Sequence, residues 1–241
     1  MKQLLLLQPR NNDDSMASHE LQCIQQRFSN LNVRLSAYCV VDEPAQVSWL
    51  EHMDGILIGG SGDYSVHHPM SQRWVNPIRR VLDEALTRGL PGFGLCFGHQ
   101  LLGLHLGGRV VTAPDCEEIG TVTLPVTALG QADPLFQEFG TQITCHTGHS
   151  DCVVEVPDGV DLLVTGSRTT CQAFRVRGTQ FYSTQFHPDL SGTEARQRYM
   201  SNKRSADGFV SDAVQRRLDA YQENQDESNR LLRRFLENLT I

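Results

Sequence analysis

The sequence predicts an α/β fold built on a doubly wound mixed sheet, with a smaller antiparallel subsheet and C-terminal helices. Three observations predict it. Short apolar runs alternate with helical stretches through the first half, as in a parallel sheet wrapped by helices. Between Gly108 and His187 the runs are shorter, alternate in polarity and are separated by Gly, Pro and Asp turns, which reads as antiparallel pairing. After Pro188 the chain turns polar and amphipathic at helical spacing.

In order, Leu4 to Leu7 reads as a first buried strand stopped by Pro9. Asp13 to Asn30 reads as a helix capped by Asp14 or Ser15, with Leu21, Ile24 and Phe28 on one face. Val33 to Val41 is a second strand and Pro44 to His52 a short helix. Gly55 to Ile58 is too short and too continuous for anything but a buried strand. A glycine-rich loop follows, then a helix from Arg73 to Arg88. A run ending at Cys96 is the next strand, and the helix after it carries Leu101, Leu102, Leu104 and Leu106 on its apolar side. The antiparallel candidates are Thr121–Thr127, Gln142–Cys145, Leu162–Thr165, Gln172–Val176 and Gln180–Phe186. Asp212–Asn224 and Glu227–Leu239 are amphipathic helices expected to pack on the sheet, and Ser201 to Gly208 is expected to be a mobile loop.

A chain of 241 residues suits one large α/β domain. The expected division is a core over 1–190 and a helical extension over 191–241. The net charge of −7 argues against nonspecific nucleic-acid or anionic-membrane partners. No run is long enough to span a bilayer. Seven cysteines without regular spacing do not read as a disulfide framework, so reduced thiols and a cytoplasmic location are expected.

The chemistry centres on Leu90 to Gly108. There a strand, a sharp turn and a helix place Cys96 at the apex, between Gly94 and Gly98. Such an elbow needs small flanking residues because the nucleophile's backbone is held under strain. The helix N-terminus favours thiolate at Cys96. Alone, Gly-x-Cys-x-Gly fits a buried core cysteine about as well. A second constellation is Thr184-Gln185-Phe186-His187-Pro188-Asp189. A strand delivers His187, Pro188 fixes the turn, and Asp189 projects the same way as His187. The carboxylate can then hold one ring nitrogen while the other faces the thiol, the logic of a catalytic triad. Third, Gly59-Gly60 follows a strand, so it should reach the same sheet edge and can aim a backbone N–H at a substrate oxygen. Its spacing fits neither the dinucleotide fingerprint nor the P-loop.

Together these segments resemble the class I (triad) glutamine amidotransferases, in particular the amidotransferase domain of GMP synthase and its free-standing relatives. Gly94-Leu95-Cys96-Phe97-Gly98-His99-Gln100 and Gln185-Phe186-His187-Pro188-Asp189 carry the likeness. Ile56 to Gly60, Glu118-Ile119-Gly120 and Gly148-His149-Ser150-Asp151 extend it, so it spans residues 1–190. The resemblance implies a flavodoxin-like sheet and no cofactor. It implies Cys96 as nucleophile, His187 as base and then acid, and Asp189 as its orienter. Gly60 and Phe97 would supply oxyanion N–H groups. Gly59, Gln100, His149 and Ser150 would contact the substrate, and Glu118 would be structural.

The chain departs from the family at three places. Asp189 stands where glutamate is usual, Ser61 where proline is usual, and Gly148-His149-Ser150-Asp151 where Ser-His-Gly-Asp is usual. Cys145, His146, His149 and Cys152 raise a zinc site, but their spacing matches no common zinc signature, so no metal is expected.

The expected partners are L-glutamine or a γ-glutamyl compound, with a separate synthase to accept the ammonia. Three readings stay open at this stage: a glutaminase feeding such a synthase, a γ-glutamyl hydrolase or peptidase with the same Cys96 intermediate, and a catalytically weak regulatory module. An α/β-hydrolase ranks lower, because that fold places its acid before the histidine.

Overall fold

The computed structural model describes residues 1–201 and 211–239. A seven-stranded sheet forms its centre. Its strands are β1 (Lys2–Gln8), β2 (Val33–Cys39), β3 (Gly55–Ile58), β4 (Gly92–Leu95), β9 (Val160–Val164), β10 (Ala173–Val176) and β11 (Phe181–Thr184). They lie in the order β2-β1-β3-β4-β11-β10-β9. From β2 to β11 every pairing is parallel; β10 runs antiparallel to both β11 and β9. The mixed, doubly wound sheet expected from the sequence is therefore present. Two small antiparallel pairs stand beside it: β5 (Arg109–Thr112) with β8 (Asp151–Glu155), and β6 (Glu118–Pro125) with β7 (Gln142–His149).

Helices α1 (Ser15–Arg27), α2 (Gln72–Thr87), α3 (Phe97–His105), α4 (Ala128–Ala132), α5 (Gly192–Ser201), α6 (Asp212–Asp219) and α7 (Arg230–Asn238) complete the described elements. Leu5, Leu7, Ile56 and Ile58 meet α2 and α3 on one face of the sheet, where Trp74, Ile78, Val81 and Leu101 are fully buried. Leu4, Leu6, Leu57, Phe93 and Leu95 face α1 and α7 on the other. Alternate residues of one strand thus fill two cores, which is why these strands read as unbroken apolar runs.

Several local expectations are corrected. Pro44 to His52 holds only a 3₁₀ turn, Val47–Leu50; the segment is anchored by buried Leu50 and by Trp49 stacked on Tyr38 at 4.2 Å instead of by helical bonding. Gln180–Phe186 does not belong to a separate antiparallel region. As β11 it is inserted beside β4 in the main sheet, in parallel. The sequence reading also lacks β5 and β8, whose residues show no clean alternation. Cys116 and Cys152 form a disulfide instead of remaining thiols. The first lies in the turn before β6 and the second on β8, so only the fold brings their Cα atoms to 5.8 Å. The loop expected over Ser201 to Gly208 lies outside the described residues, except for Ser201, which ends α5. Among the described residues no helix is long and apolar enough to cross a membrane.

Candidate active site

The parallel pairing of β4 and β11 builds the site. Their last residues, Leu95 and Thr184, stand opposite each other, so the segments after both strands leave the same sheet edge. The Cys96 N–H donates to the Thr184 carbonyl at 2.8 Å, locking the elbow to the strand that delivers the histidine. The His187 N–H in turn donates to the carbonyl of His146 on β7 at 2.9 Å.

Cys96 has φ +49° and ψ −95°. A non-glycine residue there carries backbone strain, as a nucleophile elbow requires. Its neighbours are glycine for lack of room. A Cβ on Gly94 would lie 2.7 Å from the Gly98 backbone, and one on Gly98 would lie 2.4 Å from the Ile58 carbonyl oxygen. Phe97 opens α3, so its N–H has no acceptor within the helix.

His187 sits against this thiol, and Asp189 holds the far side of its ring. His187 Nδ1 donates to Asp189 Oδ1 at 3.0 Å, and both side chains are buried. Burial works against charge on the ring, but the Asp189 charge, its hydrogen bond and a hydrogen bond with Cys96 outweigh it. The His187 pKa is pushed up to about 9. Burial likewise opposes charge on Asp189, yet Arg198 and His187 hold its carboxyl far below the usual carboxylate range. Arg198 Nη1 donates to Asp189 Oδ2 at 2.8 Å.

A cavity of about 310 Å³ opens over the thiol. Gly60, Phe97, Gln100, His149 and Ser150 line it together with Cys96 and His187. Gln100 Nε2 donates to the Asp151 carbonyl at 2.9 Å, and Gln185 Nε2 to Cys96 Sγ at 3.6 Å. His149 Nδ1 donates to the Asp151 carbonyl at 3.0 Å, and Glu118 Oε2 accepts from Gln172 Nε2 at 2.7 Å. Ser61 Oγ accepts the Tyr64 N–H at 3.0 Å, turning the loop where a proline was the family expectation.

Two expected roles meet a different geometry. Gly59 is no wall of the cavity: a Cβ there would strike the Glu20 carboxylate at 2.7 Å. Gly60 does reach the site, with His187 Cε1 only 3.2 Å from where its Cβ would stand. Its N–H, however, already donates to Glu20 Oε1 at 2.8 Å, so it is not a free oxyanion donor. Glu20, fully buried on α1, also accepts from Gln8 Nε2 at 2.9 Å and pairs with Arg10.

Glu20 and Arg198 are the residues that sequence reasoning misses. Glu20 looks like an ordinary polar position on its helix, Arg198 lies on α5, a helix the sequence reading does not place, and only tertiary packing buries either side chain. The zinc alternative separates in space. Cys145 points into the core, His146 bonds Thr121 and Asp226 on the opposite face of β7, and Cys152 is disulfide-bonded. Among the described residues no three His, Cys, Asp or Glu side chains stand together as metal ligands.

Fold and site define an α/β protein with a cysteine at a strand–helix elbow and a histidine–aspartate pair beside it, a set equipped for nucleophilic attack on a carbonyl. The class-I glutamine amidotransferase family matches residues 13–205, and the chain belongs to that family. It is 33% identical over 169 residues to a glutamine-hydrolysing GMP synthase of Caldicellulosiruptor saccharolyticus, covering 68% of this chain and 30% of that protein. It is 27% identical over 152 residues to one subunit of the glutamine-hydrolysing GMP synthase of Methanocaldococcus jannaschii, covering 63% of this chain and 73% of that one. The chain thus spans less than a third of the first of these relatives. A glutamine amidotransferase from Thermotoga maritima has the same fold, with a TM-score of 0.78 at 18% identity over 99% of this chain and 97% of that one.

Proposed function

We propose that the protein hydrolyses the side-chain amide of L-glutamine through a γ-glutamyl thioester on Cys96 and releases ammonia for a separate acceptor enzyme. One observation carries the reading: the strained Cys96 elbow and the His187–Asp189 pair meet at the ends of adjacent parallel strands. His187 takes the Cys96 proton before attack, leaving a thiolate–imidazolium pair; the sulfur then attacks the amide carbonyl and the ring gives the proton to the departing ammonia. Asp189 holds the ring so that its other nitrogen faces the sulfur. The negative oxygen of the tetrahedral intermediate is received by the Phe97 N–H and the N-terminal dipole of α3, because Gly60 is engaged by Glu20. Water then hydrolyses the thioester with His187 as base. Gln100, His149 and Ser150 line the cavity and are assigned to the amino-acid end of the substrate. The relative in Methanocaldococcus jannaschii is named as one subunit of a GMP synthase, which supports a partner synthase here. We take residues 1–241 as one domain, with the C-terminal helices part of it.

The cavity supports a second reading. At about 310 Å³ it stands at the lower end of the range for small-molecule sites and opens to solvent over the thiol, so a γ-glutamyl amide whose leaving group projects out of the cavity is the alternative substrate. Ammonia release from L-glutamine, measured beside release of p-nitroaniline from γ-glutamyl p-nitroanilide, separates the two. Cys96→Ala should abolish whichever reaction occurs. Turnover that survives this substitution removes Cys96 as the nucleophile.

A further inference from the structure

We propose that Arg198 is a positioning residue for Asp189: it grips the carboxylate oxygen that His187 does not use and keeps the aspartate ionised and aimed. The proposal rests on the Cys96–His187–Asp189 assignment above.

Asp189 is fully buried and has two oxygens to satisfy. Oδ1 accepts from His187 at 3.0 Å and Oδ2 from Arg198 Nη1 at 2.8 Å. Held at both oxygens, the carboxylate cannot turn away from the ring. A side chain one methylene shorter than glutamate gains its second anchor from Arg198 on α5.

The charge balance gives Arg198 its purpose. His187 must alternate between imidazolium and neutral imidazole. In the neutral phase a buried carboxylate with no other cation would take up a proton instead. Arginine does not give up its charge, so Asp189 stays an acceptor in both phases.

Among the described residues no other side chain duplicates this contact. From α1, Arg27 donates to the Asp189 main-chain carbonyl at 3.2 Å and pairs with Glu194. His19 accepts from Arg198 Nε at 3.4 Å, and Cys23 lies beside His19. Glu20 and Arg10 pair with each other. On the thiol side, among the described residues, the titratable groups include Cys96, His187, His146 and Tyr221. The start of α5 is fixed by the Ser191 N–H, which donates to Glu194 Oε2 at 2.7 Å.

The test compares Arg198→Met with Arg198→Lys in the full chain. Turnover of glutamine is measured against pH. So is the rate at which iodoacetamide alkylates Cys96, followed by peptide mass spectrometry. The alkylation needs no assumption about substrate, so an absence of glutaminase activity in the unmodified protein would sink the proposed function and leave this measurement intact.

For Arg198→Met we expect a fall in kcat of tenfold or more with KM little changed. Its acid limb of alkylation should move to higher pH by roughly one unit or more, because the aspartate loses the cation that holds it ionised. Arg198→Lys should recover most of both. A folded Arg198→Met protein with the unmodified protein's pH profile overturns the proposal. So does a fall in turnover with no shift of the limb and no rescue by lysine. If the methionine variant does not fold, Arg198→Gln takes its place under the same criteria.

Discussion

His187 stays protonated through neutral pH because Asp189 and Cys96 outweigh the cost of burying its charge. In the proposed reaction the protonated ring is the acid that releases the amine. On its alkaline side kcat/KM should therefore decline as pH rises through about 9; an alkaline limb at the ordinary histidine value of 6.5 would show that the pair does not act on the ring. Stability has the same sign. The folded value lies above the unfolded one, so the contribution is complete below about 6.5 and is lost as pH climbs through about 9. Asp189→Asn removes the acceptor that selects the ring's tautomer, and kcat of the folded protein should fall roughly a thousandfold or more, with a loss of stability because Arg198 is left a buried cation without its partner; a full-rate variant makes Asp189 a bystander. At this scale the sequence is informative where chemistry is local. Cys96 announces itself through flanking glycines, and Asp189 lies two residues from His187. Glu20 and Arg198 leave no local trace, since each gains its meaning from a residue far along the chain.

The elbow between β4 and α3 shows what an element contributes beyond its residues. Gly94 and Gly98 are there because α3 starts pressed against β3 and β4. An alanine Cβ at position 98 would sit 2.4 Å from a main-chain oxygen of Ile58, an atom that cannot swing aside. Gly98→Ala should therefore cost about 1–3 kcal/mol, the range for an overpacked core, and slow catalysis by displacing Cys96. Urea unfolding read beside the activity assay checks both; an unchanged midpoint would mean that the elbow relaxes without resistance. The main strands were legible because each is a short, continuous apolar run buried on both faces. The place of β11 was not, since its sequence resembles its antiparallel neighbours and only the sheet order sets it beside β4. Pro44 to His52 misled because a helical spacing of apolar residues is also met by a 3₁₀ turn with one buried leucine and one stacked tryptophan.

Across the whole molecule, the last helix belongs to the core that supports the catalytic edge. Helix α7 lays Leu231, Leu232, Phe235 and Leu236 on the sheet face opposite α2 and α3. Phe235 meets Phe93 on β4 edge-on at 5.5 Å and Tyr182 on β11 at 6.4 Å. Those are the two strands whose ends carry Cys96 and lead to His187. The helix C-terminus is held by Lys2, whose Nζ donates to the carbonyls of Leu236 and Leu239 at 2.8 and 3.1 Å, a cation where the helix dipole favours one. The amphipathic spacing at 227–239 predicted this packing. Its target strands were not readable, because an apolar stripe states what it needs and not which partner supplies it. Phe235→Ala should then cost about 3–5 kcal/mol, as for a buried aromatic truncated against a packed wall, with the slope of ΔG against urea unchanged. Because the cavity would open under β4 and β11, turnover should fall even where the protein is fully folded. A loss below about 1 kcal/mol, within the scatter of surface substitutions, would mean that α7 merely rides on the sheet and that the catalytic edge is supported without it.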